Sequence, residues 1–434
     1  MSQRVLIVGA GLAGLSAAVE LHRRGHEAII LEASSTIGGR IRTRRDIFPG
    51  IVLEMGAEFI GANHPHWLAY AEEYGIELEE INWPSGGWVR QNAKDYHGAE
   101  LAELETECDS LYEQFTEHAR NVNDEQPWLT PDAEKLDRLS LFDGTHQLLT
   151  GTPRAKQLFL WAFEQTEAAP AQKISWLGQL TVTKGHGLER CWEETEQYRC
   201  PGGIDQLINK FSDSLPSGTI QLNSPVAEVS ITTDSVSIKT ADGKSHDGDW
   251  VILALPPSQW NNLKITPPLP KAPSIPLGPV TKEFIEVDQR FWLPGEGPLI
   301  CLEDPQGELM ETGTPAPADK PAGLLWYVGG PAAELLPQMT AEDRQKRLQN
   351  ALEEPLPGLT AHWKDWHGQD WAVEPMYDGA YSYAQLGKIM EWGETLQQGL
   401  GRLLFAGEHA SFRHTGYMEG AFESAHRAFR IICE

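Results

Sequence analysis

The feature that most constrains the fold is the opening run RVLIVGAGLAGLSAAVEL. Residues 5–8 are apolar in the manner of a buried parallel strand, and residues 12–21 have the pattern of a helix. Gly9 allows a tight turn between them, Gly11 lets the backbone approach a pyrophosphate, and Gly14 lets the helix pack closely on the strand. The pattern predicts a βαβ unit whose helix N-terminus presents free N–H groups to phosphate.

The next two segments define the nucleotide. HEAIILEAS is a second buried strand that ends in Glu32, eighteen residues after Gly14, where a carboxylate accepts hydrogen bonds from ribose hydroxyls and disfavours NADP. EASSTIGGRIRT then adds a second glycine turn and Arg40, which offer further donors to an extended pyrophosphate. A structural βαβ unit without a ligand is the alternative.

With the element after Glu32 the chain resembles the flavin-containing amine oxidase family, whereas NAD dehydrogenases usually lack that second turn. The resemblance implies an α/β fold in which an FAD-binding Rossmann-like (p-hydroxybenzoate hydroxylase-like) domain is interleaved with an α+β substrate domain. A chain of 434 residues is long enough for two domains. We expect the FAD-binding domain at 1–78, 199–265 and 395–434, and the substrate domain at 79–198, largely helical, and 266–394, which the Pro-rich PPLPKAPSIPLGP introduces.

Further motifs support the cofactor assignment. In LEMGAEFIG small residues would lie against the flavin ring, LLFAGEHA supplies a strand and an acceptor for the ribityl chain, and GYMEG begins a helix directed at the flavin N1–C2=O edge. The predicted cofactor-binding residues are Gly9, Gly11, Leu12, Ala13, Gly14, Glu32, Ala33, Gly39, Arg40, Gly56, Ala57, Glu58, Val226, Gly407, Glu408, Gly416, Tyr417 and Met418.

The resemblance also implies the chemistry. These enzymes move two electrons from the C–H bond beside nitrogen to flavin N5, so neither a protein nucleophile nor a metal is needed. Tyr381 and Tyr417 match the aromatic cage that orients the amine, with Trp371 ten residues before the first, and Lys282 matches the lysine that reaches a water at N5. As alternatives, the aromatics are core residues and Lys282 is a surface lysine on an alternating strand.

Two departures from the monoamine oxidases matter. Ala380 stands where they carry the flavin-linked cysteine, so non-covalent FAD is expected. They end in a membrane helix, whereas no apolar run here approaches the roughly 20 residues that a span needs. Five scattered cysteines fit a reducing compartment, and we expect a cytoplasmic protein.

The sequence also bears on the substrate. L-amino-acid oxidases usually place an arginine in the segment where Glu58 and Phe59 stand here, and Glu58 would repel a carboxylate and tolerate a second ammonium, or serve only the structure beside the flavin. A net charge of −27 argues against nucleic acid and anionic membranes and favours cations.

We therefore expect oxidative deamination of a small amine by FAD and O2, giving an aldehyde or ketone, ammonia or an amine, and H2O2; a homodimer is compatible with this. The alternatives are an L-amino-acid oxidase, a flavin desaturase of the phytoene or protoporphyrinogen type, which would lack the Tyr381–Tyr417 cage, and a non-catalytic FAD-binding protein.

Overall fold

The chain is seen in a computed structural model that describes residues 2–84, 86–270, 275–292, 297–313, 317 and 320–434. Its first strand belongs to a five-stranded sheet in which every neighbouring pair is parallel. In spatial order the strands are Leu403–Phe405, Trp250–Leu253, Arg4–Val8, Glu27–Leu31 and Ile220–Gln221. The sheet is the Rossmann-like core that the opening glycine pattern predicts.

Both faces of this sheet are covered, which explains its nearly continuous apolar strands. Val5 and Ile7 pack against helices, whereas Leu6 and Val8 pack against a second sheet. The helices on the first face are Leu12–Arg23, Asp205–Ser214 and Met418–Cys433. The covering sheet has the order Ser245–Gly248, Val236–Thr240, Val226–Ile231 and Lys264–Thr266.

A seven-stranded sheet forms the other large layer. Its order is Trp363–Asp370, Val280–Val287, Ala322–Gly329, Gln306–Thr312, Ile300–Glu303, Trp88–Gln91 and Lys94–His97. One face, with Ile285, Leu324 and Trp326, packs on Leu348 and Leu352 of helix Ala341–Leu352. The opposite face contributes side chains to the cavity described below.

Short elements complete the structure. Three two-stranded pairings join Thr43–Arg44 to Leu53–Glu54, Glu79–Glu80 to Tyr198–Arg199, and Leu277–Gly278 to Tyr381–Ser382. The other α-helices are Pro65–Tyr74, Gly98–Ala119, Ala133–Asp137, Leu141–Leu148, Pro153–Thr166, Trp176–Gly185, Arg190–Glu194, Leu359–His362 and Lys388–Gln398. The 3-10 turns are Pro127–Leu129, Pro257–Asn262, Pro331–Glu334, Leu336–Gln338, Trp371–Val373 and Glu408–Ala410.

The predicted mixed α/β architecture is confirmed, with one local difference. Strands Trp88–Gln91 and Lys94–His97 lie inside a segment predicted to be largely helical. They are short and polar, and they form because strand Ile300–Glu303 pairs with Trp88–Gln91, which in turn pairs with Lys94–His97. Residues 271–274 of the Pro-rich segment lie outside the described residues. Within the described part of the chain, no helix combines the length and the apolar character that crossing a bilayer requires.

Candidate active site

A cavity of about 500 Å³ lies where the parallel strands end. Residues that directly follow strands Arg4–Val8, Glu27–Leu31 and Trp250–Leu253 line it, and so does Gly407, two residues after strand Leu403–Phe405. This is the edge at which open α/β sheets bind ligands. The seven-stranded sheet closes the opposite side. The predicted site residues that line it are Gly9, Gly11, Leu12, Ala13, Glu32, Ala33, Gly39, Arg40, Gly56, Ala57, Glu58, Val226, Lys282, Trp371, Tyr381, Gly407, Glu408, Gly416, Tyr417 and Met418.

The glycine turn shapes the nucleotide end of this cavity. Gly9 has a φ of +106°, and a Cβ there would lie 2.7 Å from the Ala254 carbonyl oxygen. Gly14, which does not line the cavity, packs so closely that a Cβ would lie 2.1 Å from the Gly9 carbonyl oxygen. At Gly11, in contrast, the nearest atom to an added Cβ is 4.0 Å away. The helix N-terminus is therefore locked against the strand, with open space beside Gly11.

Glu32 is fixed at the end of the second strand. Its two carboxylate oxygens accept hydrogen bonds from the backbone N–H of Ala10 at 2.7 Å and of Ser34 at 2.8 Å. A carboxylate has about four acceptor positions, so two remain for hydroxyl groups.

Arg40 and Glu408 form an ion pair that ties distant parts of the chain together. Arg40 Nη1 donates to Glu408 Oε1 at 2.7 Å and to the Ala380 carbonyl at 2.8 Å. Glu408 also accepts from the Ser382 and Gly416 N–H groups, at 3.2 and 3.0 Å. Burial alone would raise the pKa of Glu408, but Arg40 and the hydrogen bonds outweigh it and hold the pKa below its ordinary value. The partners seen are protein groups, and contact with a ribityl chain stays a prediction.

The predicted aromatic residues form one wall. The Tyr381 hydroxyl donates to the Thr166 carbonyl at 2.8 Å and is hydrogen-bonded to the Tyr327 hydroxyl. Tyr417 occupies the position just before the final helix, Met418–Cys433. Trp371 donates from Nε1 to the Met55 carbonyl at 2.7 Å. Burial raises the pKa of both Tyr381 and Tyr417 well above the ordinary value, so both phenols are neutral.

Lys282 is buried, with 6% of its surface exposed, and so is not the surface lysine of an alternating strand. Its ammonium donates to Glu58 Oε2 at 2.9 Å and to the Glu54 carbonyl at 3.0 Å. Arg199 Nε lies 3.3 Å from the other Glu58 oxygen. Burial raises the pKa of Glu58, but the two cations outweigh this and lower it. Glu58 is thus already neutralised, which removes it as the acceptor for a second ammonium.

Sequence reasoning missed many of the residues that line the cavity, among them Glu167, Glu196, Glu308 and Tyr327. Burial raises the pKa of each of the three carboxyl groups to about 7. Tyr327 lies between Lys282 and Glu308 in the strand register. The available signal was the alternation in strand Gln306–Thr312, which by itself does not distinguish a cavity face from a solvent face.

The comparisons with known proteins agree with this geometry. The sequence model for flavin-containing amine oxidoreductases matches residues 12–433. Flavin-containing amine oxidase B of Bos taurus is 27% identical over 451 residues, covering 99% of this chain and 85% of the relative. The human enzyme is 26% identical over 452 residues with the same coverage.

Two solved structures share the fold along the chain. Cyclohexylamine oxidase from Brevibacterium oxydans superposes with a TM-score of 0.88 at 22% identity, covering 100% of this chain and 99% of its own. A putrescine oxidase solved with putrescine bound gives the same TM-score, identity and coverage. Because the family match spans nearly the whole sequence, the chain belongs to the flavin-containing amine oxidoreductase family. It is a flavin-dependent amine oxidase that acts on a small amine.

Proposed function

We propose that the enzyme binds FAD non-covalently and oxidises an aliphatic or arylalkyl amine at the carbon next to nitrogen. The products would be an aldehyde or ketone, ammonia or an amine, and H2O2. The observation that carries the proposal is that one cavity joins the glycine turn at Gly11 to the tyrosine wall at Tyr381 and Tyr417. Ala380, at the predicted linkage position, also lines this cavity and has no group able to bond covalently to a flavin.

The residues of the cavity fit FAD. The space beside Gly11 admits a pyrophosphate, and the N-terminus of helix Leu12–Arg23 faces it with N–H groups that no side chain caps. Glu32 keeps acceptor positions for a ribose. Bound there, FAD would supply the acceptor for a hydride equivalent from the substrate carbon and the route for two electrons to oxygen.

The protein's own residues prepare the substrate. The neutral phenol rings of Tyr381 and Tyr417 present their faces to the amine and confine it in an apolar wall. The N-terminus of helix Met418–Cys433 stabilises negative charge at its end of the cavity. Lys282, held by Glu58, keeps an ammonium in the cavity, where it can orient a water and assist reoxidation.

The pairing of cations argues against an amino acid as substrate. The cations among the described residues that line the cavity are Arg40 and Lys282, and each is ion-paired. Arg199, close behind Glu58, is also ion-paired. A substrate carboxylate would therefore have to displace an existing buried pair, at considerable cost. We also propose a cytoplasmic location, with which five free thiols are compatible.

The test is anaerobic flavin reduction by amines and by the amino acids that yield them on decarboxylation. Amines should reduce the flavin faster, with a rate that rises with pH because only the neutral nitrogen releases electrons. Tyr381→Ala and Tyr417→Ala should each slow reduction while FAD stays bound, and acid precipitation should release FAD from the polypeptide. Faster reduction by the amino acids would favour the L-amino-acid oxidase alternative, and reduction by neither set would contradict an amine oxidase.

A further inference from the structure

The cavity contains two carboxyl groups that lack the partners other buried acids have. Every acidic side chain in the described chain that is more than nine-tenths buried has a hydrogen-bond or ion-pair partner, as Glu283 has in Arg344 and Glu286 in Lys364. The carboxyl groups of the partly buried Glu196 and Glu308 form neither kind of bond with any described residue, although both line the cavity. Removing a carboxylate from water without a partner is costly, so their position calls for a ligand that supplies one.

The strand register fixes where Glu308 stands. Lys282, Tyr327 and Glu308 are consecutive cross-strand partners on three neighbouring strands, and all three line the cavity. Neighbouring strands lie about 4.8 Å apart, so Glu308 is about 10 Å across the sheet from the Lys282 position. Tyr327 fills the position between them. Lys282 forms its ion pair with Glu58, and none with Glu308.

Two further observations mark this wall as a ligand surface. The Gln165 side chain is 2% exposed and lines the cavity; its oxygen accepts from the Gly329 N–H, which leaves its amide nitrogen without a partner among the described residues. The carboxyl groups of Glu196 and Glu308 also repel each other, which adds to the effect of burial on the pKa of Glu196. A bound cation would relieve this repulsion and supply the hydrogen bonds that the two carboxyl groups lack, whereas the Gln165 amide N–H, itself a donor, needs an acceptor atom.

We propose that Glu308, together with Glu196, binds the second ammonium of an aliphatic diamine or polyamine whose reactive nitrogen lies at the Tyr381–Tyr417 wall. This inference rests on the proposed function and names the substrate class within it. Tyr327, the cross-strand partner of Glu308, is hydrogen-bonded to Tyr381, so the Glu308 position is one strand away from a residue that contacts the tyrosine wall. A monoamine of the same length would leave both carboxyl groups without a partner.

The test compares α,ω-diaminoalkanes with n-alkylamines of the same chain length, using anaerobic flavin reduction and steady-state kcat/KM. In the wild-type enzyme the diamine should be preferred by roughly 10- to 100-fold, the range that hydrogen bonds to charged groups give. Glu308→Gln should reduce that ratio at least tenfold, mainly through KM, and Glu196→Gln should reduce it in the same direction. The visible flavin spectrum reports whether each variant is folded.

Glu113→Gln is the matched control, because Glu113 is exposed on helix Gly98–Ala119 and the change in net charge is the same. Its diamine preference should equal that of the wild type. An equal loss in Glu113→Gln would assign the preference to the overall field and overturn the proposal. A wild-type enzyme with equal kcat/KM for monoamines and diamines would also overturn the proposal, although amine oxidation itself would stand. Reduction by neither amine would instead contradict the proposed function.

Discussion

Glu408 and Glu308 line the same cavity, but their carboxyl groups differ in bonding partners and have opposite pKa shifts. Glu408 lies at the cofactor end, where Arg40 and backbone N–H groups hold its pKa below the ordinary value. Glu308 lies on the seven-stranded sheet, where no described residue bonds to its carboxyl group, and burial raises its pKa to about 7. The Glu408 carboxylate is therefore bonded within the protein, whereas the Glu308 carboxyl group would gain its partner from a ligand.

The difference separates what holds the site together from what selects its substrate. Glu408 connects residues from three separated segments of the chain through its bonds to Arg40, Ser382 and Gly416. The Glu308 side chain bonds to no other segment in the described part of the chain, and its charged form costs folding free energy. Removing these groups should therefore change stability in opposite directions.

The largest effect is expected at Arg40. Arg40→Met leaves the buried Glu408 carboxylate without its counter-ion, which should lower the free energy of unfolding by about 3 kcal/mol. The variant should also purify with less FAD, because the same guanidinium lines the cofactor cavity. Urea denaturation and the flavin-to-protein absorbance ratio measure the two consequences.

Arg45→Met is the control for this change. Arg45 lies five residues further along and pairs with Asp205, but its side chain is 47% exposed. An exposed pair contributes less than about 1 kcal/mol, so stability and flavin content should stay near the wild type. Equal losses in the two variants would show that the Arg40–Glu408 pair has no special role.

The difference between the cofactor end and the sheet side of the cavity also determines which parts of the site could be predicted from the sequence. The nucleotide end was predictable because its signals are local: the turn at Gly9, Gly11 and Gly14, and the strand that ends in Glu32. The Rossmann-like sheet follows from them. Even the Arg40–Glu408 pair joins two residues that motifs had singled out separately.

The substrate wall could not be predicted in this way, because its side chains meet only through strand register. The sequences QGELMET and LLWYVGG do not by themselves indicate that Glu308 and Tyr327 are cross-strand partners, or that Tyr327 also pairs with Lys282. The sequence left two roles open for Glu58, an acceptor for a second ammonium and a structural residue beside the flavin. Its ion pairs with Lys282 and Arg199, which are distant in sequence, favour the structural role. The boundaries of the two domains remain a proposal.

An intermediate effect is expected at Lys282. Lys282→Met should slow reoxidation of the reduced flavin by oxygen at least tenfold, a barrier increase of about 1.4 kcal/mol, because the ammonium in the cavity is lost. Reduction by amine should stay within about twofold of the wild type. Stopped-flow measurement of the two half-reactions separates these rates.

Lys364→Met tests whether any lysine–glutamate pair in this sheet has such an effect. Lys364 donates to Glu286 at 2.7 Å on the neighbouring strand, and Lys364 does not line the cavity. Its loss should lower stability without changing reoxidation. If Lys282→Met leaves both half-reactions near the wild type, Lys282 serves only to neutralise Glu58.

The smallest effect is expected in the pH dependence of stability of Glu308→Gln, which tests the difference between Glu308 and Glu408 most directly. The pKa of Glu308 rises from an ordinary 4.5 to about 7 on folding. Between those values the folded protein binds more protons than the unfolded chain, so the free energy of unfolding falls as pH increases through that window. A neutral glutamine removes this penalty, and Glu308→Gln should be more stable than the wild type by roughly 1 kcal/mol at about pH 8, with little difference at about pH 4.

Glu408→Gln should behave in the opposite way, because a lowered pKa contributes stability above the ordinary value and loses it as pH falls through the folded value. This variant should be less stable than the wild type at about pH 8, and the deficit should shrink in acid. Glu196, on which Glu308 acts electrostatically, also feels Glu58, Lys282 and Arg199, and all four groups are kept in both variants. Urea denaturation of the holoenzymes across the pH range compares the two signs directly. If Glu308→Gln destabilises the protein at about pH 8 as Glu408→Gln does, Glu308 is a structural carboxylate, and the proposal that it binds substrate is wrong.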